Sequence, residues 1–149
     1  MKSVRFVVAG ILIALSAIVA ANALPAVQWQ PLQGSIGQGS GSRWRASWMD
    51  LSSVRDFHRG DRLRVRVQGT AERVLVRLLP KDASSDLPAG LVGSVMRVPP
   101  GGVLDVPLAE NHPSVKQISV HSGLEAFGQA LNSTDGGAAI VSVEMASAN

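Results

Sequence analysis

From residue 43 to residue 146 the chain repeatedly alternates apolar and polar residues with a period of two. That period belongs to an extended strand, whose successive side chains point to opposite faces of a sheet. The runs are RWRASWMDL (43–51), RLRVRVQ (62–68), RVLVRLL (73–79), VGSVMRV (92–98), VLDVPL (103–108), VKQISVH (115–121) and AIVSVEMA (139–146), with GTAE, PPGG and TDGG as punctuation. A short strand is expected around AVQWQPL as well. GSIGQGSGS (34–42), four glycines in nine residues, reads as a flexible loop. LSSVRDF (51–57) and GLEAFGQAL (123–131) each have room for a turn or two of helix. Each sheet must bury one face, so this pattern predicts an all-β fold: a single antiparallel β-sandwich, with a barrel as the alternative. Pro107 cannot donate to a ladder and marks its strand as an edge or a bulge.

The start of the chain has a different character. Lys2 and Arg5 precede an uncharged run from Phe6 to Ala21, and Ala21-Asn22-Ala23 is the small-x-small pattern of a cleavage site. Spanning a bilayer takes about 20 apolar residues, so the run is short for a permanent anchor. Residues 1–23 are therefore expected to be an export signal, 24–42 an N-terminal segment with the Gly/Ser-rich loop, and 43–149 the β domain. The expected location is periplasmic or secreted in a bacterium, with membrane attachment only if the signal segment is retained. Without Lys2 and Arg5, twelve basic residues remain against eleven acids. Nucleic-acid binding needs a strong clustered positive field, which this balance does not supply. The chain has no cysteine, which excludes disulfides, a thiolate nucleophile and cysteine-ligated zinc.

RLRVRVQ and RVLVRLL, joined by GTAE, read as an antiparallel hairpin. With a turn centred on Thr70-Ala71, Leu63, Val65 and Val67 oppose Leu78, Val76 and Val74 on a core-facing side. Arg62, Arg64, Arg66, Arg73 and Arg77 then share the other side with no acid among them, and Arg64 lies across from Arg77. Like charges so placed are destabilising. Two answers are open. Asp105 and Glu144 have the outward parity to balance the row from neighbouring strands. Alternatively, the row grips an anionic ligand through the bidentate guanidinium fork.

Trp44 and Trp48 share one side of a strand with Ala46 between them, and are expected to anchor the core, although they would also make a stacking platform for sugar rings. Trp29 is the less constrained tryptophan and a candidate ligand contact. His58 with Asp56 and Asp61 offers metal-like donors, but Arg55, Arg59 and Arg62 surround them, so a solvated turn is expected and no metal. Ser119, His121 and Ser122 can be drawn as a nucleophile and base, yet no GxSxG elbow accompanies them. His121 is instead a candidate ligand contact, with Glu125, Asn132 and Asp135 in the connection 122–137, because loops at the end of a sandwich commonly carry function.

The order of FHRGDRLRVRVQGTAERVLVRLLP, VPPGGVLDVPL, VKQISVHSG and AAIVSVEMA resembles the galactose-binding-like jelly-roll modules. The resemblance implies a jelly-roll sandwich and, as in many members, carbohydrate binding through loops or a sheet face. A non-catalytic module for an envelope glycan or other anionic surface ligand is expected, without cofactor. The alternative is a structural or protein-interaction component of the bacterial envelope, with an envelope protein as partner.

Overall fold

The computed structural model describes residues 27–86 and 88–148; the expected signal, residues 1–23, lies outside the described residues. Described are β1 (Gln30–Pro31), β2 (Gly34–Ser40), β3 (Trp44–Phe57), β4 (Arg62–Gly69), β5 (Arg73–Pro80), β6 (Leu91–Arg97), β7 (Val103–Pro107), β8 (His112–Gly123), β9 (Glu125–Ala126), β10 (Gln129–Ala130) and β11 (Ala138–Ala146). One sheet has the order β1-β11-β4-β7 and the other β2-β3-β8-β5-β6, with β9 and β10 as a small separate hairpin. Neighbours are antiparallel throughout. The all-β class expected from the alternation is what the chain adopts.

One apolar core lies between the two large sheets. Leu63, Val65 and Val67 of β4, Leu104 and Val106 of β7, and Val143 and Met145 of β11 supply one side. Val74, Val76 and Leu78 of β5, Ile118 and Val120 of β8, and Met49 and Phe57 of β3 supply the other. Each buried aliphatic side chain of this size stabilises the fold by about 1.5–3 kcal/mol relative to exposure. Pro107 closes β7, an edge strand, as its missing donor requires.

The β4–β5 hairpin does not form. The two strands belong to different sheets, and the turn between them carries the chain across the core. The six aliphatic residues predicted to face inward do so, but they meet across the core rather than along one ladder. Thr70-Ala71 lacks the positive-φ preference of a two-residue hairpin turn, and Ala71 instead donates its N–H to the Gly137 carbonyl at 3.0 Å. Facing the core is compatible with either sheet, so the alternation by itself does not choose a partner.

Three further segments differ from expectation. Residues 34–40 form an edge strand rather than a loop, in unbroken register with β3. The 51–57 segment is the bulged continuation of β3, not helix. Residues 123–131 fold into β9 and β10 around Phe127 (φ 50°) and Gly128 (φ 76°). Two successive positive φ angles are the signature of a tight hairpin turn that follows the twist of its strands.

Candidate functional site

The predicted arginine row is divided between two surfaces. Arg62, Arg64 and Arg66 stand on the outer side of the four-stranded sheet, where β4 lies between β11 and β7. Arg64 is in register with Glu144 on one side and Asp105 on the other. Arg62 pairs with Asp105 at 2.6 Å and Arg66 approaches Glu144 at 4.0 Å. Arg64 lies over the Trp29 ring, 4.0 Å from its centroid. Asp105 and Glu144 thus offset Arg62, Arg64 and Arg66, the first of the two answers left open by the sequence, and three cations against two acids leave little field for an anionic ligand. Arg73 and Arg77 belong to the other sheet, so Arg64 never faces Arg77.

Two of the loop candidates are structural. The Asn132 side chain accepts the N–H groups of Glu72 and Arg73 and donates to the carbonyls of Arg73 and Gly123, pinning the 122–137 connection to the start of β5. Asp135 holds Arg45 through its carboxylate at 3.3 Å and its carbonyl at 2.9 Å. Asp61, expected in a solvated turn, is buried and accepts from the backbone of His58 and Ala148. No group of His, Asp and Glu suited to a metal ion occurs among the described residues.

Arg77, His121 and Glu125 do come together, on the outer side of the five-stranded sheet. Trp48 pairs with Ser119, which pairs with Arg77; Ala46 pairs with His121, which pairs with Leu75. Alternation therefore points Trp44, Ala46, Trp48, Ser119, His121 and Arg77 the same way, away from the core. The expectation that Trp44 and Trp48 are core residues is overturned: Trp44 is 45% exposed and Trp48 half-buried. Their footing is β2. A Cβ on Gly37 would sit 2.6 Å from the Trp48 indole nitrogen, and one on Gly39 3.2 Å from the same ring. Glycine at the positions the rings cover is what lets the indoles lie against the strand.

A cleft of about 530 Å³ runs over this surface. Trp44 and Trp48 line it together with Ala46, Ser119, His121 and Gln117, and Phe127, Glu125, Arg77 and Asp86 complete it. The β9–β10 turn holds Phe127 in the left-handed region, which costs a bulky residue about 1–2 kcal/mol. There its ring meets His121 edge-on at 4.8 Å and lies under the Arg77 guanidinium at 5.1 Å. Arg77, only 3% exposed, donates to the Ser85 carbonyl at 2.9 Å. Glu125 is held by Arg43 at 3.1 Å. A larger hollow of about 660 Å³ at the sheet end is lined by turn residues such as Thr70, Pro99 and Gly101, and no aromatic lines it.

Ser119 Oγ and His121 Nε2 are 2.9 Å apart, the spacing of a nucleophile and its base. The surroundings work against that chemistry. Burial, and secondarily the Arg77 charge, lower the His121 pKa to about 4, which makes it a poor proton acceptor near neutrality. Among the described residues no carboxylate bonds its other ring nitrogen, and Ser119 is 1% exposed. A neutral imidazole at the floor of a cleft is suited to hydrogen bonding.

Sequence reasoning favoured the core for Trp44 and Trp48 over the stacking platform it also allowed, and did not bring Gln117, Ser119, Asp86 and Phe127 to the same surface. A signal existed for the tryptophans. Gly37, Gly39 and Gly41 repeat with the same period as Trp44, Ala46 and Trp48, and a hairpin between the two segments lays one row over the other. No protein-family model matches this chain, and no curated protein matches it.

Proposed function

We propose that this is an exported, non-catalytic glycan-binding module with a jelly-roll sandwich fold. The fold reading is supported by the strand orders β1-β11-β4-β7 and β2-β3-β8-β5-β6, in which β1 and β11 are neighbours and the chain crosses between the large sheets repeatedly, staying within one only from β2 to β3 and from β5 to β6. The functional reading rests on one observation: two indoles lie flat and partly exposed in the same cleft as convergent polar groups. A sugar ring offers one apolar side and a rim of hydroxyls. Indoles supply a large rigid apolar surface for the first, and Gln117, His121, Arg77 and Glu125 supply donors and acceptors for the second.

The charges of the cleft favour an uncharged glycan over the anionic surface ligand first expected. Among the lining residues Arg77 is accompanied by Asp86 and Glu125, so two acids face its single guanidinium there. A glycan array with the purified protein and its Trp48→Ala variant tests the reading. Binding of neutral glycans that Trp48→Ala abolishes supports it; binding only of acidic glycans, or binding indifferent to the variant, contradicts it. The alternative role, a protein-interaction component of the envelope, is favoured by the open edge of β2.

A further inference from the structure

Every open sheet carries two edges, each a row of unpaired backbone N–H and C=O groups, and proteins commonly blunt them with charge, proline, bulges or brevity. Three of the four edges of the two large sheets are blunted. β1 has two residues; β7 has five and contains Asp105 and Pro107; β6 has a register irregularity against β5, carries Gly93 at φ 64° and ends on Arg97. β2 has none of these devices. Its seven residues, GSIGQGS, hold no charge and no proline and run in continuous register with β3. Among the described residues nothing pairs with its outer side. Ile36, on the core-facing surface at that edge, is left 44% exposed.

We infer that β2 is a self-pairing edge, through which two copies of this chain join into one continuous sheet. The hydrogen bond from Gly41 N–H to the Trp44 carbonyl and that from Ser52 N–H to the Gln33 carbonyl fix which residues face β3. By alternation, Gly34, Ile36, Gln38 and Ser40 direct their backbone groups outward. The antiparallel register that uses the whole strand places Gly37 opposite Gly37 of the second copy. Gly34 then exchanges hydrogen bonds with Ser40, and Ile36 with Gln38. No like charges meet, and the exposed Ile36 gains cover.

A partner of other sequence would bring side chains alongside the outermost indoles. A second β2 brings Gly37 opposite Gly37 and only the short Ser35 opposite Gly39, so little is set against the indoles. The two-fold axis relating antiparallel strands in one sheet is perpendicular to that sheet, so both clefts open on the same side. A repetitive ligand displayed on a surface then engages two clefts at once, which raises avidity without any new contact. The proposal does not depend on the glycan reading, because a single cleft survives in a monomer.

Sedimentation velocity between about 1 µM and 1 mM is the first test, since strand pairing alone buries less than the roughly 1,200 Å² typical of stable complexes and predicts a micromolar dimer. The purified protein should pass from monomer to dimer over that range. Gln38→Pro, which removes an outward N–H, and Ile36→Lys, which brings charge to the edge, should each remain monomeric with unchanged circular dichroism. The chain has no cysteine, so a cross-link tests the register independently. Oxidising a mixture of Ile36→Cys and Gln38→Cys proteins should yield more covalent dimer than either alone. A protein that stays monomeric throughout, a dimer that survives both edge variants, or cross-linking no better in the mixture would overturn the inference.

Discussion

Acidification should weaken this fold through one buried imidazole. His121 is 9% exposed and faces the Arg77 charge, and its pKa is lowered from 6.5 to about 4. Above pH 6.5 the imidazole is neutral both folded and unfolded, and the full stability is present. As the pH falls from 6.5 towards 4, the unfolded chain takes up a proton that the native state refuses, and stability is lost. Each pH unit in that window removes up to about 1.4 kcal/mol, so the whole window removes about 3 kcal/mol. That is a large part of the 5–15 kcal/mol typical of a domain. His112, also lowered by burial, acts in the same direction. His121→Gln has no titration and retains a partner for Ser119. Urea unfolding from pH 4 to pH 8 should therefore show a steeper decline for the unmodified protein than for His121→Gln, by up to one proton, with His112→Gln as the control. Equal slopes for the unmodified protein and His121→Gln would refute the reasoning.

Three other substitutions probe separate parts of the molecule. Asn132→Ala leaves the N–H groups of Glu72 and Arg73 and the carbonyls of Arg73 and Gly123 without their shared partner; it should cost about 1–3 kcal/mol in chemical denaturation. Arg64→Ala, on a surface where Asp105 and Glu144 already offset the arginines, should change stability by no more than about 1 kcal/mol and leave glycan binding intact. Gly37→Val drives a side chain into the Trp48 ring. It should weaken glycan binding at least as much as Trp48→Ala, while far-ultraviolet circular dichroism shows the sheets preserved.

Much of the architecture was legible in the alternation, because a period of two decides which residues turn inward. Leu63, Val65, Val67, Val74, Val76 and Leu78 are buried as that period requires. It does not decide which sheet a strand joins, which is why the pattern fits a β4–β5 hairpin that the chain does not form. The outward parity of Asp105 and Glu144 likewise supplied the balanced reading of the arginine row, but could not choose between it and an anion grip. The tryptophans depart from expectation for a different reason. Large aromatics usually carry core packing, whereas here a glycine strand makes a flat apolar seat on the outside of the sheet. Such a seat is visible only once 34–40 is recognised as a strand, and composition alone argued for a loop. The cleft also needs Phe127, placed by a left-handed turn residue that propensity gives no reason to expect.

The central claim is that ligand binding belongs to the tryptophan cleft and not to the arginine row. Titration calorimetry with a neutral oligosaccharide selected on the array tests it directly, using Trp48→Ala alongside the combined Arg62→Ala, Arg64→Ala and Arg66→Ala variant. Loss of one stacking ring worth about 1.5 kcal/mol predicts an affinity roughly tenfold weaker for Trp48→Ala. The triple arginine variant should bind as the unmodified protein does. The opposite pattern, with binding lost in the arginine variant and retained in Trp48→Ala, would contradict the account.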